Sequence, residues 1–160
     1  MVQNPGAYQN YLQRTMPGYA KRDLVWREVS AYLQRYVPTD SQVLDLGAGY
    51  GHFINHIQAK SKVAFDLSDT LLKYCRPDVT PVVGNALELA SLLPAGFRPD
   101  RVFASNFLEH FSREDIVSLL KTVFTLLSPG GKVLLLQPNY RYCSAQYFDD
   151  FTHLTALDHV

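Results

Sequence analysis

Residues 43–53 read VLDLGAGYGHF, and this stretch decides the fold. A short apolar run from Val43 ends in Asp45 and Leu46, and glycines then stand on alternate positions at Gly47, Gly49 and Gly51. An apolar run of this kind suits a parallel strand buried on both faces. Closely spaced glycines let a turning backbone approach a ligand that a Cβ would push away. The stretch therefore reads as a strand running into a nucleotide-type cofactor loop. It is not the dinucleotide fingerprint, whose third glycine follows the second by three residues. Here Gly51 follows Gly49 by two, and the acid Asp45 precedes the first glycine.

Outward from the loop, helical and strand periodicities alternate. Leu24, Val25, Val29, Tyr32, Leu33 and Tyr36 recur at helical intervals, which predicts an amphipathic helix over 20–37 stopped by Pro38. The spacing then predicts a strand at 43–46, a helix at 50–59, a strand at 62–66 and a helix at 69–75 opened by Ser68. A strand at 81–84, a weak helix at 87–93 and a strand at 101–105 follow. Ser112 with Asp115 resembles a capping box opening a helix through Leu127, Pro129-Gly130-Gly131 ends it, and a strand is expected at 132–137. Such alternation implies parallel strands joined by right-handed crossovers, a doubly wound α/β sheet. Residues 1–18, with Pro5, Gly6, Pro17 and Gly18, read as a flexible arm able to fold over a bound ligand.

Composition fits one globular domain. At 160 residues and 47% hydrophobic, the chain is long enough to bury about 70% of the surface its unfolded form exposes. Fifteen basic and fifteen acidic residues balance, so no basic face advertises nucleic acid or anionic membrane, and a small acceptor of little charge is the simpler partner. Cys75 and Cys143 lack the spacing of a zinc or redox pair and read as free thiols. No segment has the roughly twenty apolar residues that a membrane crossing needs, and the expected location is cytoplasmic.

The pattern acid-x-Gly-x-Gly-x-Gly, with five further segments in order, resembles the class I S-adenosylmethionine-dependent methyltransferases. The resemblance implies a Rossmann-like, mostly parallel sheet, S-adenosylmethionine as cofactor and S-adenosylhomocysteine as product. Asp45, Gly47, Ala48, Gly49 and Gly51 would form the cofactor loop. Asp66, 17 residues after Gly49, would accept hydrogen bonds from the ribose diol, with Leu67 packing on the adenine. PVVGNALEL (81–89) resembles the adenine-edge segment, placing Asn85 and the backbone of Ala86 at the base. Where the family more often has Asp, Asn85 still offers a carbonyl oxygen. RVFASNFLEHF (101–111) resembles the fourth strand and the loop bordering the methyl donor, with Ser105, Asn106 and Phe107 at the cofactor, and SPGGKVLLLQPN (128–139) resembles the turn and fifth strand. Residues 139–160 are similar to a Tyr-, Asp- and His-rich segment of methyltransferases in glycan and secondary-metabolite pathways, which makes Tyr140, Arg141 and Tyr147 expected substrate contacts.

The implied activity is methyl transfer to a small molecule, with O-methylation of a sugar-linked or secondary metabolite favoured. The alternative is a non-catalytic cofactor-binding module that needs a partner. A nicotinamide-dependent enzyme is disfavoured by the glycine spacing and the lack of a Tyr-x-x-x-Lys pair. An alcohol acceptor needs a base, and an imidazole near pKa 6.5 suits neutral pH. His110, just after the fourth strand at the carboxyl edge of the sheet, is the first candidate, and His153 the second. Glu109 reads as a loop acid rather than a base. His52 and His56 stand four apart on one helical face, but with no third ligand nearby they read as a packing or solvated face, and no metal site is expected. Trp26 reads as helix-to-sheet packing. Tyr140, Tyr142, Tyr147, Phe148 and Phe151 form either a substrate wall or a cover for the sheet edge.

The family's sheet has seven strands, the last two an antiparallel hairpin, and five are visible here. The fifth, VLLLQ (133–137), is apolar on both faces like an interior strand, so an edge position invites pairing. It is expected to be capped by residues 139–160 or by another copy of the chain.

Overall fold

The computed structural model describes residues 19–159. The expected flexible arm at 1–18 lies outside the described residues. Five strands, β1 (Gln42–Leu46), β2 (Ser61–Asp66), β3 (Thr80–Val83), β4 (Arg101–Ser105) and β5 (Lys132–Leu136), form one sheet in the order β3-β2-β1-β4-β5. Every pairing is parallel, with Leu44 of β1 between Val63 of β2 and Val102 of β4. The order reverses at β1, where two crossovers diverge. An open α/β sheet leaves a crevice there, beyond the carboxyl ends of its strands.

Alternation along the strands divides the core into two layers. Leu44, Leu46, Val63, Phe65, Val102 and Ala104 face one side, with Leu89, Leu119 and Val123 packed on them. Val43, Ala64 and Phe103 face the other, against Phe53, Ile54, Ile57 and Leu72. Helices cover both faces: α1 (Tyr19–Leu33), α2 (His52–His56), α3 (Asp69–Leu72), α4 (Leu89–Leu92), α5 (Arg113–Leu126) and α6 (Tyr140–Tyr147). The strands and α5 lie close to their expected bounds, and α1 passes into a 3₁₀ turn at Gln34–Tyr36.

Three helices are shorter than the periodicity suggests. Gly51, left-handed at φ +69°, is the N-cap of α2, and Ile57 is already extended at ψ 140°, so only His52–His56 is helical of the expected 50–59. Helix α3 starts where Ser68 Oγ accepts the Leu71 amide at 3.4 Å, yet ends at Leu72. The segment expected as helix 87–93 divides into a 3₁₀ turn at Ala86–Glu88 and the four-residue α4.

Residues 139–159 do not cap the sheet edge. They form α6, kinked at Cys143, and then fold back over the loop that follows β4. Leu154 and Thr155 donate their amides to the Glu109 carbonyl at 2.7 and 3.1 Å, and Thr155 Oγ1 donates to the Phe111 carbonyl at 2.7 Å. Among the described residues, strand β5 pairs only with β4, with Leu135 49% and Leu136 46% exposed.

Candidate cofactor cleft and acceptor wall

The carboxyl ends of β1, β2 and β4 open on two adjoining clefts that share Gly47 and Asn106. The first, about 660 Å³, is lined by Asp66 and Leu67 after β2, by Gly84, Asn85 and Ala86 after β3, and by Phe107, His110 and Phe111 after β4. The second, about 620 Å³, is lined by Asp45, Ala48 and Gly49 of the glycine loop, by Ser105, and by Arg22 and Trp26 from α1.

The loop has the shape its glycines permit. Gly47 and Gly49 both take positive φ, at +68° and +54°. A Cβ at Gly47 would lie 2.3 Å from Phe107 Cδ2, so this position admits glycine alone, whereas nothing stands within 4 Å of a Cβ at Gly49. Gly47 thus lets the Phe107 ring close on the backbone, and Gly49 presents bare backbone to open space. Gly51 lines neither cleft: its α-carbon faces Cys75 Sγ and Asn55, and it serves to start α2.

Asp66 ties the two halves of the crevice together. Its Oδ2 accepts the Gly49 amide and its Oδ1 the Ser68 amide, each at 2.8 Å. Burial pushes this carboxyl above its ordinary range, while the amides of Ser68, Gly49 and Leu67 pull it back. Each oxygen keeps a second lone pair for a hydroxyl donor. Asp45, 3% exposed, is pushed well up by burial and next by the charge of Asp66. Asn85 Oδ1 accepts the Leu87 amide at 3.1 Å, capping the turn that brings Ala86 to the first cleft. Asn106, at φ 47°, donates its amide to the Leu136 carbonyl at 2.9 Å, turning the chain sharply after β4.

Five expected site residues fall outside both clefts: Gly51, Tyr140, Arg141, Tyr147 and His153. Tyr147 is 2% exposed, and its hydroxyl is spent on structure: it donates to the Thr155 carbonyl at 2.8 Å and accepts the Leu157 amide at 3.3 Å. Arg141 pairs Nε with Asp158 at 3.1 Å on the surface. Tyr140 packs its ring on Tyr147 and Phe148. Tyr147 in turn packs on Phe148, and Tyr142 stacks on His159. His153 stands behind His110, ring centroids 5.1 Å apart, with Nδ1 donating to the Tyr147 carbonyl at 2.6 Å. Its Nε2 faces Asp150 Oδ2 at 3.7 Å and Glu109 Oε1 at 3.9 Å.

His110 alone of the two histidines reaches a cleft wall. Burial holds its imidazole below the usual range, countered by the carbonyl of Thr152, lowered further by His153, and raised by Asp150 and the Asn106 carbonyl. Glu109 is fully buried, and neither carboxylate oxygen has a hydrogen-bond partner among the described residues. Burial pushes it up to about 7, against the pull of its own amide and that of Phe107. Glu109, His110 and His153 each bring a potential ligand atom within 4.8 Å of the others. Two ligands on a tetrahedral zinc stand about 3.4 Å apart, tighter than the 3.9 Å between Glu109 and His153. His52 is buried and His56 nearly so, its side chain 10% exposed, and both face Asp23 Oδ1, at 3.4 and 2.9 Å, as a packing face.

Sequence reasoning missed Arg22, Gly84 and Phe111 on the cleft walls, and the second role of Trp26. Trp26 does pack helix to sheet, edge-on to Phe103 at 6.2 Å, but it also walls the second cleft. Helical spacing in α1 signalled an amphipathic element and nothing about which cleft its N-terminal half would border.

A methyltransferase domain matches residues 13–160, nearly the whole chain. The chain belongs to this family, the class I S-adenosylmethionine-dependent methyltransferases. A carboxy-S-adenosyl-L-methionine synthase of Shewanella sediminis is 25% identical over 140 residues, covering 81% of this chain and 56% of that protein. The chain thus spans little more than half the length of the curated relatives it matches. A SAM-dependent methyltransferase from Archaeoglobus fulgidus shares the fold at TM-score 0.70 and 23% identity, over 95% of this chain and 68% of that one. DhpI in complex with SAH does so at TM-score 0.63 and 19% identity, over 86% and 67%. Among the described residues no helix is long and apolar enough to cross a membrane.

Proposed function

We propose that the chain binds S-adenosylmethionine across the two clefts and directs methyl transfer to a hydroxyl of a small, largely uncharged acceptor, such as a sugar-linked or secondary metabolite, at the His110 wall. The single observation that carries this reading is the junction of the clefts. Asp66, Leu67, Asn85 and Ala86, the expected nucleoside contacts, lie on one side of Gly47 and Asn106, and the glycine loop with Arg22 lies on the other. The residues fit the cofactor. Asp66 keeps lone pairs for the ribose diol, open space before Gly49 admits an amino-acid tail, and Arg22 offers its carboxylate a cation.

The cofactor supplies an activated methyl group, which leaves the protein to orient the acceptor and take its proton. His110 is suited to the second task, because burial keeps its ring neutral near pH 7 and therefore able to accept. Around His110 the wall is formed by Asn106, Phe107 and Phe111, with no Lys or Arg among the described residues that line it, which favours an uncharged acceptor over a carboxylate. Phe107, edge-on to Phe111 at 4.9 Å, gives that wall an apolar face suited to the ring of a small molecule beside the nucleoside. Two half-buried thiols and balanced charge fit a cytoplasmic enzyme with neither nucleic acid nor membrane as partner.

Methyl transfer from labelled S-adenosylmethionine to a panel of hydroxylated small molecules tests the reading. With an accepted substrate, His110→Ala is expected to lower kcat by roughly 10²-fold with S-adenosylhomocysteine affinity unchanged. An equal loss of cofactor affinity would instead make His110 a scaffold of the loop. A chain that binds the cofactor but methylates nothing in the panel or in a cell extract would favour the non-catalytic module.

A further inference from the structure

We propose that Thr152 and Asp150 are positioning residues that fix the His110 imidazole with its proton on Nδ1, so that Nε2 is the basic nitrogen. The inference rests on the reading of His110 as the group that takes the acceptor's proton, and it comes from the direction of a hydrogen-bond chain. Thr152 Oγ1 lies 2.5 Å from Asp150 Oδ1 and 2.9 Å from His110 Nδ1. A carboxylate only accepts, so the single hydroxyl proton of Thr152 goes to Asp150. The hydroxyl then has only lone pairs to offer His110. Nδ1 must donate, and the Thr152 carbonyl at 3.3 Å, also an acceptor, asks the same of it. A neutral ring protonated on Nδ1 has its lone pair on Nε2.

The chain of bonds is held rigidly enough to matter. His110 ends the short turn Leu108–His110 after β4, while Asp150 and Thr152 belong to the turn after α6. The amides of Leu154 and Thr155 on the Glu109 carbonyl, with Thr155 Oγ1 on the Phe111 carbonyl, staple one turn to the other on either side of His110. Thr152 is 2% exposed, which keeps water from competing for the hydroxyl. Asp150 Oδ1 also accepts the Thr152 amide at 2.9 Å, which holds that oxygen against the hydroxyl. This gives the Asp- and His-rich tail a role that substrate contact does not: it orients the base from behind.

Nitrogen-15 NMR of histidine-labelled protein reads which ring nitrogen carries the proton without any turnover. The expected result is an Nδ1-protonated His110 in the wild-type chain. Thr152→Val, matched in shape, should shift the ring toward the other tautomer and lower kcat at least about tenfold, with KM for S-adenosylmethionine unchanged. Asp150→Asn should act in the same direction, and Thr152→Ser, which keeps the hydroxyl, should recover both readouts relative to Thr152→Val. An Nε2-protonated His110 in the wild-type protein overturns the proposal even if every variant fails to fold. So does a folded Thr152→Val with tautomer and kcat unaltered. Undiminished turnover in His110→Ala would instead remove the base assignment itself, and the positioning role with it.

Discussion

Glu109 shows how far a residue's role can lie from its sequence. Beside His110 it reads as an ordinary loop acid, but the tail folds over it and leaves its carboxylate fully buried without a hydrogen-bond partner. Burial lifts its pKa from the ordinary 4.5 to about 7. The folded state therefore binds a proton that the unfolded chain releases, so this contribution to stability is present below pH 4.5 and is lost as pH rises through 7. The loss is on the order of 3 kcal/mol. Urea denaturation of wild type and Glu109→Gln at pH 5 and pH 8 isolates it. The wild type should lose stability over that span relative to the variant, and parallel behaviour would place the buried charge elsewhere. Asp66, by contrast, stands where its sequence context puts it, an acid ending the buried run of β2 on the wall of the first cleft. Tyr147 was misread because tyrosine suits a substrate wall and a buried clamp equally, and only the folded tail shows its hydroxyl satisfied from both sides.

Among the elements, those with strong local signals were legible. Helix α5 begins where Ser112 Oγ accepts the Asp115 amide at 3.1 Å, as the sequence anticipates. Ser112→Ala should cost about 1 kcal/mol, read as a lower urea midpoint with an unchanged m-value; no change would mean water replaces the cap. The short helices α2, α3 and α4 were overestimated because apolar spacing persists beyond the residues whose backbone stays helical. Helix α6 and its fold-back were not anticipated as structure, since their contacts with Glu109 and Phe111 join residues more than forty apart in the chain. Helix α1 was found, yet its docking was not: Asp23 bridges His52 and His56, which read in isolation as a bare pair.

At the scale of the whole molecule, alternation of strand and helix gave the parallel sheet and its crossovers. It could not give the strand order, and β5, apolar on both faces like an interior strand, lies at the edge. Leu135 and Leu136 are about half exposed there, and α5 adds Val117 at 53% and Phe124 at 78%. An apolar sheet edge and an exposed apolar helix face each favour association. Residues 1–160 alone are expected to self-associate in sedimentation velocity, with Leu135→Lys shifting them toward monomer; a monomer at all concentrations would show the edge to be inert.

On the proposed function, the crevice at the sheet's switch point is a cofactor site held by Asp66. Calorimetric titration with S-adenosylhomocysteine, of wild type and of Asp66→Ala, tests it most directly. Hydrogen bonds to a charged carboxylate contribute about 1.5 to 3 kcal/mol each. The expected result is one-to-one binding by the wild type, no binding of NAD, and affinity at least about tenfold weaker in a folded Asp66→Ala. Equal affinity in the two proteins, or no binding by the wild type, would contradict it.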